Sequence, residues 1–224
     1  MAFIEDYKAH VAERETLGVP PLPLSAEQTV EVIEFIKTNE HTEMMLDLLE
    51  NRVSPGVDDA AYVKAAFLNE LAKETHHVTS ISPEKAVAML GTMLGGYNVK
   101  PMIDSLSSSN EKVVDTAVEA LSKTLLVYDA FNDVEELHKN GNKAATKVMT
   151  SWANAEWFTN KPKLADKITV TVFKVAGETN TDDLSPASEA FTRSDIPLHA
   201  NSMLTAKMDN PAQTILDLKK KVIL

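Results

Sequence analysis

Cysteine is absent from all 224 residues. This excludes disulfides, thiolate nucleophiles and cysteine-ligated zinc or iron–sulfur clusters from anything the chain does alone. No run of eighteen apolar residues occurs, and the start, "MAFIEDYKAHVAERETL", carries acids where a secretory signal needs a basic end and an apolar core. The chain therefore reads as cytoplasmic and non-membrane. Positive charge is also short, with 22 Lys and Arg against 33 Asp and Glu and a formal net charge of −11. Binding along a phosphate backbone needs clustered cations, which this balance opposes. The one dense basic cluster, Lys219 to Lys221, sits at the C-terminus, where it suits a helix end complementing the helix dipole.

What is present is an ordinary globular composition, 44% hydrophobic and 25% charged, long enough for one large domain or two small ones. To about residue 160 the apolar spacing is helical. Residues 2 to 16 place Phe3, Ile4, Tyr7, Val11 and Leu17 on one face, until "GVPPLPL" breaks the helix. Ser25 opens the next segment as an N-cap, with Gln28 placed to complete a capping box and Val30, Val32, Ile33 and Ile36 as the buried stripe. Asp58 or Asp59 caps a helix after the Pro55-Gly56 turn, and Ser82, Pro83 and Glu84 supply a cap, a first-turn proline and a first-turn acid. A long helix is expected over 110 to 129, with shorter ones at 132 to 139 and 142 to 158. Successive helices of about 10 to 20 residues joined by short turns describe antiparallel pairs stacked as an α-solenoid. There is no clean sequence period, so a degenerate HEAT-like array and an irregular bundle both remain open.

At "NKPKLADKITVTVFKVAG" the pattern changes. Ile168, Val170 and Val172 alternate with Thr169, Thr171 and Phe173, which predicts a strand. Nothing after it matches it, so its sheet is not expected to close within the chain. The ending is expected to be a helix with Asn210 as cap and Pro211 at its first position. The fold class is mainly α: a helical domain over 1–160, then a partial α/β segment over 161–224.

The run "FKVAGETNTDDLSPASEAFTRSDIPLHANSML" closely resembles the start of the swivel domain of the bacterial aconitase B family. "NRVSPGVDDAAYVKAAFL", "SPEKAVAMLGTMLGGYNVKPMIDSL", "ALSKTLLVYDAFNDVEE" and "MTSWANAEWF" resemble the HEAT-like N-terminal domain of the same family, in the same order. The resemblance is weakest at 35 to 48 and 70 to 80. It implies an N-terminal portion of a larger iron–sulfur dehydratase, which interconverts citrate and isocitrate through cis-aconitate and also dehydrates 2-methylisocitrate. The implied [4Fe–4S] cluster is held by three cysteines that lie outside this chain. The family's swivel loop with its catalytic serine is also missing here, so the chain alone is expected to be inactive.

The resemblance implies one substrate-binding residue. Arg193, in "FTRSDIPLHA", occupies the position at which the family binds a substrate carboxylate, and guanidinium suits that role as a planar two-pronged donor. On spacing alone it reads instead as an arginine paired with Asp195. Asn180, Asp182, Asp183 and Ser185 are expected to form a supporting shelf through bonds to nearby backbone. Asp182 and Asp183 are not expected to touch a tricarboxylate, because like charges repel.

The six histidines show no i, i+4 pair with a nearby acid, so no metal site is expected; His199 is assigned packing or hydrogen bonding. The nine methionines read as core filler. Trp152 and Trp157 are expected to anchor the last solenoid helix against the swivel segment. "GTMLGG" follows a helix rather than a strand, which argues against a phosphate loop. Beside the enzyme reading stands a free-standing α-solenoid adaptor. The expected partners are citrate or isocitrate in the full-length context, and a homodimer mate or other protein through the helical domain. RNA is conceivable for a parent enzyme and is not favoured for this segment.

Overall fold

Several helix starts in the first two thirds of the chain are local hydrogen-bonding events. In the computed structural model, which describes residues 2–124, 130–170, 172–192, 199–208 and 211–222, Ser25 Oγ accepts from the Gln28 amide at 3.2 Å while Gln28 Oε1 accepts from the Ser25 amide at 3.0 Å. Asp58 accepts from Ala61 N at 2.8 Å and Ser82 from Lys85 N at 3.3 Å. Each satisfies amides that the first helical turn leaves without partners.

The chain divides into two compact units, Leu24–Lys163 and a discontinuous one made of Met1–Pro23 with Leu164–Leu224. The first contains α2 (Ala26–Thr38), α3 (Thr42–Asn51), α4 (Asp59–Ala72), α5 (Pro83–Leu90), α6 (Val99–Ser105), α7 (Glu111–Lys123), α8 (Ala130–Lys139), α9 (Lys143–Ala153) and the short α10 (Glu156–Thr159). Chain neighbours pair as α2 with α3, α4 with α5, α6 with α7 and α8 with α9. One row runs through α2, α4, α6 and α8 and a second through α5, α7 and α9. The core between the rows includes Ile36, Leu49, Leu68, Leu90, Met102 and Leu121, all less than 2% exposed. Four methionines, Met45, Met89, Met93 and Met102, are buried there as filler.

Buried polar groups in this unit serve the helix ends. Asn98 donates to the carbonyls of Leu90 and Met93 at 2.8 and 2.9 Å, tying down the turn that follows α5. The Lys64 ammonium donates to the Glu50 carbonyl at 3.3 Å, in the last turn of α3. Loops 54–57 and 94–97 are fastened face to face. The Leu94 amide donates to the Pro55 carbonyl at 2.7 Å and the Tyr97 hydroxyl to the Val57 carbonyl at 3.0 Å, with Gly95 against Gly56.

Several expectations are corrected here. In α2 the buried stripe contains Thr29 rather than Val30, which is 46% exposed; the Thr29 hydroxyl donates to the Ser25 carbonyl at 2.8 Å, so its polar atom can be buried without loss. The helix expected over 110 to 129 stops at Lys123, because Thr124 adopts extended backbone; residues 125 to 129 lie outside the described set. The helix expected over 142 to 158 breaks at Ala155, whose φ of +49° is left-handed. Trp152 turns toward its own unit. Its indole donates to the Leu121 carbonyl at 2.9 Å and its ring lies 6.0 Å from that of Phe131, while Trp157 is 40% exposed.

The second unit contains α1 (Ala2–Thr16), α11 (Thr181–Leu184), two 3-10 turns at Ala187–Thr192 and Ala200–Ser202, and α12 (Pro211–Val222). Phe3, Ile4 and Tyr7 are buried, whereas Leu17 is 63% exposed. Residues 1 to 23 thus fall with the C-terminal segment in this compact unit. The strand expected at 168 to 173 does not appear among the described residues, and residue 171 lies outside them. Ile168, Val170 and Val172 are 63%, 72% and 84% exposed. A strand needs a neighbour to take its amides and carbonyls, and none is present among the described residues.

Candidate functional site

The polar loop after the alternating run folds upon itself. Asn180 takes extended backbone and caps α11, accepting from the Asp183 amide at 3.0 Å while the Asp183 carboxylate accepts from the Asn180 amide at 2.9 Å. This reciprocal box uses two acceptors the sequence supplies three positions apart. Asp183 is also anchored at long range. Its carboxylate lies 3.2 Å from Lys207 Nζ and its carbonyl accepts from the Leu204 amide at 2.7 Å.

The Asn180 amide, followed by the Lys207 ammonium, holds the Asp183 carboxyl below its ordinary pKa. A carboxylate depressed in this way contributes stability above the ordinary value, and the contribution is lost as pH falls through the lower folded value. Acidification below about pH 4 should therefore loosen this loop. The protection factor of the Leu204 N–H, its exchange rate corrected for the intrinsic pH dependence, should fall over that window, and Asp183→Asn should flatten the dependence; equal acid sensitivity in the variant would remove Asp183 as the cause.

Two further contacts hold this part of the chain. Ser185 Oγ and His199 Nε2 are 2.8 Å apart, the hydrogen-bonding role expected for His199. Glu189, in the 3-10 turn that ends at Thr192, meets Arg14 of α1: Nη2 donates to Oε2 at 2.6 Å, with side-chain exposures of 15% and 7%. Arg14 Nε also donates to the Pro20 carbonyl at 2.8 Å.

The structure thus brings Asn180 and Asp183 together, ties Ser185 to His199 and leaves Asp182 exposed. Arg193 lies outside the described residues. Sequence reasoning missed Arg14, Glu189 and Lys207. No local signal could have found them, since Arg14 and Glu189 are 175 positions apart. Elsewhere, a cavity of about 520 Å³ is lined by Lys100, Asp104, Asp133 and Glu136 among others. Burial pushes the Asp104 carboxyl up, but hydrogen bonds from Lys100 and Lys73 outweigh it and the net shift is downward. Among the described residues, no group of three or more His, Cys, Asp or Glu is placed to hold a metal ion.

Helices paired in two rows make up one unit, and a polar loop fastened by ion pairs belongs to the other. Comparison with known families is more specific. Residues 6–158 match the family described as the aconitate B N-terminal domain, and residues 170–224 match the aconitate hydratase 2 N-terminus. The chain belongs to the aconitate hydratase B family and corresponds to its N-terminal region. It is 57% identical over 203 residues to the aconitate hydratase B of Salmonella typhimurium, covering 90% of this chain and 23% of that relative. It is 54% identical over 221 residues to that of Synechocystis, covering 97% and 25%, and 50% identical over 220 residues to that of Helicobacter pylori, covering 98% and 26%. The chain thus spans about a quarter of the length of these curated relatives.

Proposed function

We propose that this chain is the helical scaffold and first swivel segment of a cytoplasmic enzyme that interconverts citrate and isocitrate through cis-aconitate and also dehydrates 2-methylisocitrate. The observation that carries the reading is the ordered match of both segments, 6–158 and 170–224, to the two N-terminal modules of one enzyme family. The module boundary is proposed near residue 160, in keeping with those limits. Two rows of paired helices support a HEAT-like solenoid for the first module. No residue of the chain fits the thiolate ligation of a [4Fe–4S] cluster, so its ligands are assigned to the rest of the parent protein.

Arg193 is proposed to bind a substrate carboxylate, with Asn180, Asp182, Asp183 and Ser185 as its supporting loop. In the parent enzyme, Arg193→Lys should raise the KM for citrate about tenfold or more, because a paired charged hydrogen bond is replaced by a point charge. Steady-state assays with unchanged kcat and KM would remove Arg193 from the site. The helical module is proposed to serve protein contacts, a homodimer mate included; exposed Val57, Tyr62 and Leu94, with Tyr62 edge-on to Tyr97, support that role. RNA remains disfavoured as a partner of this segment on charge. The adaptor reading lacks a supporting observation of its own: a self-sufficient chain should not leave Ile168, Val170 and Val172 in solvent.

A further inference from the structure

Four of the exposed apolar side chains of the helical unit lie together. Val57, Tyr62 and Leu94 are 68%, 60% and 68% exposed, and Tyr97 is 37% exposed. The rings of Tyr62 and Tyr97 meet edge-on with centroids 5.3 Å apart, and the Tyr97 hydroxyl donates to the Val57 carbonyl at 3.0 Å. The surface is exposed without being loose, because the Leu94 amide donates to the Pro55 carbonyl at 2.7 Å and Gly95 lies against Gly56. Side chains presented on fixed backbone lose little further freedom on binding, and tyrosine is enriched among the residues that dominate protein interfaces.

The surface also has a sign. Its two segments, "SPGVDDAAYV" at 54–63 and "GTMLGGYNV" at 91–99, are short of cations in all but one place, Lys64 lying outside them in effect because it is 2% exposed. Asp58 is committed to capping α4, where it accepts from the Ala61 amide at 2.8 Å. Asp59 is exposed, forms no ion pair among the described residues and stands three positions before Tyr62 on the same helix. Residues so spaced are surface neighbours, so a carboxylate sits beside a tyrosine ring. A guanidinium suits both groups at once, since it can lie over the ring and donate paired hydrogen bonds to the carboxylate. Phosphate-bearing partners are opposed by the same acidic charge. Among the described residues a second copy of the chain offers no freely exposed arginine, for Arg14 is paired with Glu189 and Arg52 has its Nη1 buried.

We propose that the surface of Val57, Tyr62, Leu94 and Tyr97 docks an arginine-bearing apolar segment of a different protein, the guanidinium on Tyr62 and Asp59 and the flanking apolar side chains on Val57 and Leu94. This rests on the protein-contact reading of the helical module and narrows it to one surface and one partner chemistry.

The test titrates the 224-residue chain with acetyl-Leu-Arg-Leu-amide, and with the same peptide carrying citrulline, which has the shape of arginine without its charge. Amide correlation NMR spectra report where each peptide binds. The arginine peptide should shift the amides of Val57, Tyr62, Leu94 and Tyr97 and bind about tenfold more tightly than the citrulline peptide. Asp59→Asn and Tyr62→Leu should each weaken it about threefold. Both positions are exposed and Asp59→Asn keeps the size, so unshifted amides elsewhere verify the fold. In the full-length parent, hydrogen exchange over 54–62 and 92–98 should match that of the 224-residue chain.

Equal affinity for the two peptides, or binding indifferent to both substitutions, would overturn the proposal and leave the protein-contact reading standing. Slower exchange of these segments in the parent would mean that the rest of the parent covers the surface, and a dimer that Tyr62→Leu dissolves in sedimentation would mean that a second copy does; either result also overturns it. Silence toward both peptides from a chain that sediments as a monomer would defeat the proposal and the protein-contact reading together.

Discussion

Gly95→Ala should destabilise the helical unit by about 3 kcal/mol, a sizeable share of the ~5–15 kcal/mol that holds a typical domain folded. A Cβ at Gly95 would overlap the carbonyl carbon and oxygen of Gly56 and approach Val57 Cγ1 to 3.0 Å. Relief requires moving backbone, because Gly56 is held between two fixed points: Leu94 donates to the Pro55 carbonyl and Tyr97 to the Val57 carbonyl. Gly141→Ala provides the comparison. Its φ of +85° makes alanine strained, but nothing lies within 4 Å of the added methyl. Its cost should stay near 1 kcal/mol, the ordinary penalty for a left-handed non-glycine residue. Urea denaturation of both variants decides the matter, since equal midpoints would mean that the two loops are not rigidly apposed.

Purified by itself and reconstituted with iron and sulfide, the 224-residue chain should hydrate no cis-aconitate above a protein-free blank. The cluster proposed for the parent protein would need thiolate ligands, and the chain has no cysteine to supply one. His10 and His138 do not substitute: His10 Nε2 accepts from the Leu22 amide at 3.0 Å and His138 Nδ1 lies 2.9 Å from the Thr146 hydroxyl. The ultraviolet absorbance of the conjugated cis-aconitate double bond follows the reaction. Sustained turnover that survives repurification would overturn both the fragment reading and the assignment of the cluster to the rest of the parent.

The features legible in the sequence are those decided within one helical turn. Ser25 with Gln28, Asp58 and Ser82 begin helices where the residue order says they should, because a cap and its amide are two or three positions apart. The box between Asn180 and Asp183 is local in the same sense, although the sequence suggested only a shelf bonded to nearby backbone. Features that depend on distant neighbours were not legible. Thr29 is buried in place of Val30 because a hydroxyl can return its proton to Ser25. "KITVTVF" has the alternation of a strand, but pairing is a property of two segments and the run shows only one. Trp152 could be recognised as an anchor, whereas its partners, Leu121 and Phe131, come from the fold. The attachment of α1 to the C-terminal unit leaves no trace in spacing at all.

That attachment has a consequence for synthesis. Glu189 emerges 175 positions after Arg14, and at the usual ~5–20 residues per second its partner waits on the order of 10 to 35 s. During that interval Arg14 lacks the carboxylate that it meets in the folded chain, while the helices between the two residues belong to a compact unit of their own, Leu24–Lys163.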